Sequence, residues 1–112
     1  MTRFAVLNRN GDFQALYHRG RSQVHPVLVT YVRRSRTGTA RAGITTGKKI
    51  GGAVQRNRCR RVIREAYRAL LPGIRGGWDI VFVARRRTVE VKSTEVLRVM
   101  EKQLAALGVL SR

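Results

Sequence analysis

The sequence predicts a single α+β domain over residues 1–112, in which helices pack against a small sheet as a two-layer sandwich. Two runs rich in apolar and β-branched residues, 24–34 and 78–84, indicate strands. Two other segments, 52–71 and 93–107, carry apolar residues at helical spacing. A chain of 112 residues is long enough for one domain and too short for two ordinary ones.

A short helix is predicted near the N-terminus, before the first strand. Asn10 is expected to cap it, because its side chain can accept a hydrogen bond from a free N–H of the first turn. Gly20 is expected to end it in the left-handed conformation. Phe13, Leu16 and Tyr17 fall at positions i, i+3 and i+4, so they share one stripe of this helix.

The strands of the first half are expected to form a pair. The run "VHPVLVTYVRR" over 24–34 reads as one strand, with Pro26 near its start, where a missing N–H does least harm. The run "RAGITTG" over 41–47 predicts a second strand, antiparallel to the first. The segment 48–52, "KKIGG", is expected to be a glycine-rich connection.

The second half predicts a helix, a strand and a final helix. The first of these covers 52–71, and the strand 78–84 is so continuously apolar that both of its faces should be covered. The basic segment 85–92 is expected to be a connection. Ser93 is expected to cap a last helix that stops at Gly108. The predicted order is therefore helix, two or three strands, helix, strand, helix.

The charge balance favours a polyanionic partner. The chain has 24 Lys+Arg against six Asp+Glu, a net charge of +18, and 20 of the basic residues are arginine. Such a charge repels itself in the compact state and favours binding to polyanions, and arginine grips phosphate through a planar fork. Nucleic acid is therefore the favoured partner. An anionic membrane is the main rival, although no long basic amphipathic segment with aromatic anchors is present.

Several other classes of protein are disfavoured by the composition. Cys59 is the single cysteine, so neither a disulfide framework nor a zinc-ligand spacing exists, and a buried structural thiol is expected. His18 and His25 show no partner in the sequence and are expected at the surface. The opening "MTRFAVLNRN" lacks the apolar core of a signal peptide, and no stretch approaches a membrane span, so a cytoplasmic protein is expected.

The helix over 52–71 has two chemically different sides. At about 100° per residue, one side is apolar: Cys59, Val62, Ile63, Ala66 and Leu70. The other side carries an i, i+4 row with two neighbours beside it: Arg56, Arg60, Arg64 and Arg68, with Asn57 and Arg61. Like charges at this spacing cost roughly 0.2–0.5 kcal/mol per pair in an isolated helix. The row therefore indicates a surface for a phosphate backbone; the alternative is a solvated face with bulk counterions.

The segment before this helix does not match a nucleotide-binding P-loop. Gly43 and Gly47 are separated by three residues rather than four, and Lys49 follows Lys48 where the motif needs Ser or Thr. Gly51 and Gly52 more simply let the backbone turn sharply into the helix. The two lysines and the helix N-terminus would then form a local anion site.

The stretch "KKIGGAVQRNRCRRVIREAYR" resembles the signature of the protein subunit of bacterial ribonuclease P. The matching positions are Lys48, Lys49, Gly51, Ala53, Val54, Arg56, Asn57, Arg58, Arg60, Arg61 and Arg64. The resemblance extends to "DFQALYHRGRS" at 12–22, "VLVTYV" at 27–32, "RAGITTGKK" at 41–49 and "DIVFVARR" at 79–86, and so spans nearly the whole chain.

The resemblance implies a fold and a division of labour. The fold is an αβββαβα domain with a left-handed βαβ crossover, of the type also found in a domain of a ribosomal protein. In this family a large RNA, using Mg²⁺, hydrolyses the bond between a precursor tRNA and its 5′ leader. The protein binds that RNA and the leader and is not itself the catalyst. We expect no catalytic side chain, no protein-bound metal and no obligate protein partner.

The resemblance also assigns roles to particular residues. The RNA-binding positions are those of the arginine helix and its entry: Lys48, Lys49, Arg56, Asn57, Arg58, Arg60, Arg61, Arg64 and Arg68. Phe13, Tyr17 and Tyr31 are implied to line a cleft for the single-stranded leader, where bases would stack on aromatic faces. The alternative for Phe13 and Tyr17 is core packing against the sheet, and Leu16 is a core candidate.

Two other functions compete with this interpretation. A ribosomal or other structural RNA-binding protein would have the same charge and size, and only the spaced motif argues against it. A stand-alone nuclease would need clustered carboxylates or histidines around a metal. The six acidic residues are instead scattered along the chain: Asp12, Glu65, Asp79, Glu90, Glu95 and Glu101.

Overall fold

A computed structural model of the chain describes residues 5–7, 9–35 and 38–110. Two short 3-10 turns, Lys48–Ile50 and Leu71–Gly73, flank the longest helix. The strands are β1 (Ala5–Val6), β2 (Arg21–Val24), β3 (Leu28–Arg34), β4 (Arg41–Thr45) and β5 (Trp78–Ala84). The helices are α1 (Asn10–Arg19), α2 (Ala53–Leu70), α3 (Arg86–Glu90) and α4 (Ser93–Ala106).

The five strands form one mixed sheet in the order β1-β4-β5-β3-β2. β4 runs parallel to both β1 and β5, whereas β3 runs antiparallel to β5 and to β2. Helix α2 connects β4 to β5, which makes the parallel βαβ unit that the family resemblance implies. The predicted α+β class is confirmed.

The main core lies between one face of the sheet and the two long helices α2 and α4. Ile80 and Phe82 of β5 are fully buried there, together with Ile63 of α2 and Met100 of α4. The aromatic rings of Phe82 and Tyr67 meet edge to face, with centroids 5.5 Å apart. Side chains alternate between the two faces of a strand, so the other face of β5 is available to a different partner.

The opposite face of the sheet is covered only in part, by α1. A small second core forms there from Leu7, Leu16 and Val81, and Phe13, Tyr31 and Val83 pack around it. Leu16 is 1% exposed, as expected for a core residue of this helix. The predicted two-layer sandwich therefore corresponds to the sheet as one layer and helices α2 and α4 as the other. Helix α1 lies on the opposite face of the sheet, outside these two layers.

The predicted strand over 24–34 is wrong at its start, because the chain forms a hairpin there. β2 and β3 are joined by a tight turn in which His25 and Leu28 exchange backbone hydrogen bonds of 3.1 and 3.2 Å. Pro26 lies in this turn, where its missing N–H removes no ladder bond. All four residues of β2 are exposed, so the strand has no alternating pattern that the sequence could reveal. β4 is antiparallel in direction to β3, as predicted, but β5 lies between them.

The predicted helix ends are partly wrong. Arg9 and Lys92, rather than Asn10 and Ser93, occupy the positions before α1 and α4. Gly20 has φ −79°, so it is not left-handed. A Cβ there would lie 2.5 Å from the Leu16 carbonyl oxygen, so the close approach of the backbone is what requires glycine. Gly108, with φ 81°, does end α4 as predicted.

The basic connection over 85–92 contains a short helix that was not predicted. Thr88 of α3 is fully buried, and its hydroxyl donates a hydrogen bond of 2.5 Å to the Val27 carbonyl oxygen. The same hydroxyl accepts a bond of 2.9 Å from the backbone N–H of Arg85. The buried threonine thus fixes α3 to the β2–β3 turn, while the arginines around it stay at the surface.

Candidate nucleic-acid interface

Helix α2 follows a sharp turn at the glycine pair that precedes it. Gly51 has φ 146°, a conformation that side chains with a Cβ rarely adopt, and Gly52 sits at the N-cap position. The predicted apolar side is confirmed: Cys59, Val62, Ile63 and Ala66 are buried and Leu70 is half-buried. Tyr67 is also buried in this core, although the helical spacing did not assign it to the apolar side.

The opposite side of α2 presents a continuous basic surface, which we call the arginine face. Its exposed members are Asn57, Arg60, Arg61, Arg64 and Arg68. Arg60 donates a hydrogen bond of 3.3 Å to the Asn57 side-chain oxygen. Within the described part of the chain, no ion pair joins Arg60, Arg61 or Arg64 to a carboxylate. Three cationic groups are therefore available on this face for phosphate.

Two arginines of the motif lie at the borders of the arginine face rather than on it. Arg58 is half-buried and donates a hydrogen bond of 3.3 Å to the Val91 carbonyl oxygen, between α3 and α4. Arg56 is half-buried on the other border, and its Nε is buried without a hydrogen-bond partner among the described residues. Arg58 thus connects α2 to the segment between α3 and α4. It differs in this from the later arginines of the motif, which are exposed on the arginine face.

Lys48 and Lys49 lie in the 3-10 turn after β4 and are both exposed. They line a cavity of about 930 Å³ at the end of the sheet where β4 and β5 finish. The floor of this cavity is apolar and includes Val29 and Val83, on the face of the sheet that α1 leaves open. Residues 85–87, three consecutive arginines, also line this cavity. The two lysines therefore border the open sheet face, apart from the arginine face.

Tyr17 and Tyr31 come together on that open face. Their ring centroids are 5.0 Å apart and the rings meet edge to face at 74°. Tyr17 is 38% exposed and Tyr31 is half-buried. Alternation along β3 places Val29 on the same face as Tyr31. We call the surface formed by Tyr17, Tyr31, Val29 and Val83 the aromatic groove.

Phe13 lines a second cavity, separate from the one that Lys48 and Lys49 border. It lines a volume of about 360 Å³ together with Leu7, Ile44, Arg60 and Arg64. Its ring lies against Gly43, where a Cβ would be 2.7 Å from the ring. Phe13 therefore sits between the open sheet face and the arginine face.

Two buried titratable groups, Cys59 and Tyr67, belong to the core rather than to either surface. Burial raises the pKa of the Cys59 thiol, although Arg58 opposes this, and burial raises the pKa of Tyr67 to about 12. His18 is exposed as expected; His25 is half-buried, and its Nδ1 accepts a bond of 3.0 Å from the Val27 N–H.

Across residues 5–7, 9–35 and 38–110, no three His, Cys, Asp or Glu side chains form a metal-binding group. None of the helices in those ranges is long and apolar enough to cross a bilayer.

Sequence reasoning missed Val29, Val83 and the three arginines at 85–87 as part of the site. The alternation of strands predicts which residues share a face with Tyr31, so the two valines could have been found once β5 was paired with β3. The arginines could not, because their position depends on α3, which has no apolar periodicity.

These observations place the chain in the class of nucleic-acid-binding proteins. It is a small, strongly basic α+β protein with an arginine-lined helix on one side of its sheet and an aromatic groove on the other. The chain belongs to the ribonuclease P protein family, whose model, described as "Ribonuclease P", matches residues 1–108. The resemblance seen in the sequence is thus confirmed. Proteins of this family are the protein component of the ribonucleoprotein enzyme that processes tRNA.

Similar proteins and a solved structure support the assignment to this family. The chain is 34% identical over 106 residues to the ribonuclease P protein component of Dehalococcoides mccartyi, covering 95% of this chain and 87% of that protein. It is 38% identical over 101 residues to that of Symbiobacterium thermophilum, covering 89% and 88%. The solved structure of the Staphylococcus aureus RNase P protein superposes with a TM-score of 0.86 at 28% identity, covering 97% of this chain and 100% of that one.

Proposed function

We propose that the protein holds the catalytic RNA of ribonuclease P on its arginine face and the 5′ leader of precursor tRNA in its aromatic groove. The observation that carries this proposal is that two chemically different surfaces lie on opposite sides of the sheet, one on the outer side of α2 and the other on the sheet face that α1 leaves open. The arginine face offers cations and no exposed aromatic ring among the described residues, whereas the aromatic groove offers rings and apolar side chains with a basic rim.

The arginine face suits the phosphate backbone of a folded RNA. Arg60, Arg64 and Arg68 are spaced about 6 Å apart along the helix, four residues at roughly 1.5 Å each. Arginine binds phosphate through two parallel N–H bonds, which fix orientation as well as charge. The proposed contacts come from Asn57, Arg60, Arg61, Arg64 and Arg68, with Arg56 at the border; Arg58 acts indirectly by holding α3 and α4 against α2.

The aromatic groove suits a single strand. Unpaired bases stack on aromatic side chains within positive grooves, at about 1–3 kcal/mol per base. Tyr17 and Tyr31 supply the rings, and Val29 and Val83 supply an apolar floor beyond them. Lys48, Lys49 and the arginines at 85–87 would hold the phosphates as the strand leaves the sheet.

Phe13 would contribute from the border between the two surfaces. Its cavity also contains Arg60 and Arg64, so a nucleotide there would meet a ring on one side and cations on the other. Leader and catalytic RNA would therefore approach each other at this edge of the sheet, near the scissile bond.

The chemical step is proposed to belong to the RNA. Mg²⁺, when bound by the RNA, would supply the activated water for phosphodiester hydrolysis. The protein's carboxylates do not fit a shared metal site, because three of the six are engaged by arginines: Asp79 by Arg41, Glu95 by Arg98 and Glu90 by Arg87. We accordingly propose a cytoplasmic subunit with no catalytic residue of its own and no obligate protein partner, and a stand-alone nuclease is disfavoured.

Reconstitution tests the proposal. Precursor tRNA should be cleaved at low Mg²⁺ only when a bacterial ribonuclease P RNA and this protein are both present. Cleavage by the protein alone would show that its carboxylates are catalytic after all. If the RNA is active alone at high Mg²⁺ but gains nothing from the protein at low Mg²⁺, the protein is an RNA-binding module with a different partner.

A further inference from the structure

A third basic surface lies at the end of the sheet opposite the lysine-lined cavity. We propose that this surface, which we call the Trp78 patch, docks the phosphate backbone of duplex RNA. The patch consists of three exposed arginines around one buried tryptophan: Arg21, Arg34 and Arg75, with Trp78. The inference deepens the proposed RNA binding and rests on it.

The strand register brings these residues together from separate parts of the chain. Arg34 ends β3 and is paired across the ladder with Trp78, the first residue of β5. Arg21 begins β2 and is paired with Val32, two residues before Arg34 and on the same face. The loop before β5 adds Arg75, whose carbonyl oxygen accepts a bond of 3.1 Å from the Trp78 indole N–H.

The arginine in the middle of the patch is held in place by the ring beneath it. The Arg34 guanidinium carbon lies 5.2 Å from the Trp78 ring centroid, a cation–π contact. A guanidinium fixed over a ring loses less conformational freedom when it binds phosphate than a free side chain does. This contact leaves the N–H groups at the rim of the guanidinium available to an incoming anion.

The nearby acid does not neutralise the patch. Asp79 is bound by Arg41 through two hydrogen bonds of 2.9 Å, so its charge is already matched. No ion pair involves Arg21, Arg34 or Arg75 in the part of the chain that the structure describes. Three like charges held together repel one another, and a polyanion that neutralises them would be bound favourably.

The patch suits a duplex better than a single strand. Its one aromatic ring, Trp78, is 6% exposed and lies beneath Arg34, so no base can stack on it. Single strands are held largely by stacking, whereas proteins recognise RNA duplexes by shape and by contacts to phosphates and 2′-hydroxyls. Arg75 lies only a few residues beyond the end of α2, so a duplex on the patch would be close to RNA held on the arginine face.

The test compares two variants with the same reduction in charge. The patch variant carries Arg21→Gln, Arg34→Gln and Arg75→Gln; the control carries Lys92→Gln, Arg98→Gln and Lys102→Gln, three exposed cations on or beside α4. The probe is an RNA duplex of about 20 base pairs, longer than the roughly 16 that a small duplex-binding domain spans. Its affinity for the full chain is measured by fluorescence anisotropy over a range of salt concentrations.

The patch variant should bind the duplex at least about tenfold more weakly than the control. Its salt slope should fall by about 0.9 for each phosphate that the protein no longer neutralises. Equal weakening in both variants would overturn the proposal, because it would reflect net charge alone. The same comparison is made with a single-stranded RNA and with phosphatidylserine vesicles. The proposal would also be overturned if the patch variant bound single-stranded RNA as much more weakly as it bound the duplex, or if only its binding to vesicles were weakened.

Two further measurements keep the outcome decisive. Since Arg34 packs on Trp78, thermal melting is measured first; if the triple variant is unfolded, Arg21→Gln with Arg75→Gln replaces it and must show the same selective weakening of duplex binding. Cleavage at low Mg²⁺ separates this inference from the proposed function. If the inference alone fails, the patch variant binds duplex like the control and cleavage still depends on the protein; if the proposed function fails, that dependence is absent even in the unaltered chain.

Discussion

Tyr17 of α1 and Tyr31 of β3 meet edge to face with their ring centroids 5.0 Å apart, and Tyr17 remains 38% exposed. The Tyr17 ring is therefore partly exposed at the protein surface. Replacing Tyr17 with Ala should weaken binding of precursor tRNA to the reconstituted holoenzyme by about 1–3 kcal/mol, the range for one stacked base. Binding of mature tRNA, which lacks the leader, should be unchanged.

The control for this variant is Leu16→Ala, one residue earlier on the same helix. Leu16 is 1% exposed, so its truncation should lower the free energy of unfolding by about 2–5 kcal/mol. Thermal unfolding of the two variants separates the roles. If Tyr17→Ala is as destabilised as Leu16→Ala, the tyrosine is a core residue and the aromatic groove is not a binding surface.

The arginine face predicts a change in salt dependence. Replacing Arg60, Arg61 and Arg64 with Ala should weaken binding of the catalytic RNA. The plot of log K against log salt should flatten by roughly 0.7–0.9 for each phosphate that is no longer neutralised. The control is the single variant Arg58→Ala, which removes the bond to the Val91 carbonyl oxygen and should lower the melting temperature with little change in slope. An unchanged slope in the triple variant would show that this face does not bind the phosphates.

A buried polar network joins α4 to the β2–β3 hairpin. The Gln103 amide accepts a bond of 2.6 Å from the Thr30 hydroxyl and donates bonds of 2.8 and 3.2 Å to the Leu28 and Gln23 carbonyl oxygens. Gln103→Leu should lower the free energy of unfolding by about 1–3 kcal/mol for each buried group left unpaired. Urea denaturation measures this, with Lys102→Leu as the exposed neighbour. Equal midpoints in the two variants would contradict a structural role for the network.

Tyr67 predicts a decrease in stability at alkaline pH. Burial raises the pKa of its hydroxyl from 10.0 to about 12 in the folded chain, so the folded state keeps a proton that the unfolded state releases. The resulting stabilisation is complete below pH 10 and is lost as the pH rises toward about 12. The free energy of unfolding should therefore fall more steeply over that range in the native chain than in Tyr67→Phe. Parallel curves for the two proteins would contradict the assignment.

The sequence predicts best the features that follow from the periodicity of apolar residues or from the long motif around α2. The two sides of α2 follow directly from residue spacing. The continuous apolar run of β5 correctly marks a strand, but one of its faces is only partly covered, because Val83 is half-buried and lines a cavity. The structure agrees at Cys59, Val62 and Ile63, which are buried, and at Arg60, Arg61 and Arg64, which are exposed.

Features that depend on tertiary contacts could not be predicted in the same way. Arg58 belongs to the motif, yet its guanidinium reaches a carbonyl oxygen 33 positions later in the chain. Phe13 and Tyr17 share a helical stripe, yet Phe13 lines a cavity with Arg60 and Arg64 whereas Tyr17 packs edge to face against Tyr31. β2 is exposed along its whole length, and α3 depends on the single buried hydroxyl of Thr88.

The central claim is that the arginine face binds the catalytic RNA and the aromatic groove binds the leader. The most direct test measures both kinds of binding in the arginine-face variant and in Tyr17→Ala. Affinities are measured for the catalytic RNA, and, in the reconstituted holoenzyme, for precursor and mature tRNA. The arginine-face variant should bind the catalytic RNA more weakly while its preference for precursor over mature tRNA, once saturated with RNA, is unchanged. Tyr17→Ala should have a smaller preference for precursor tRNA and keep its affinity for the catalytic RNA. If each variant lowers both quantities to the same extent, the two surfaces do not have separate tasks, and the account is contradicted.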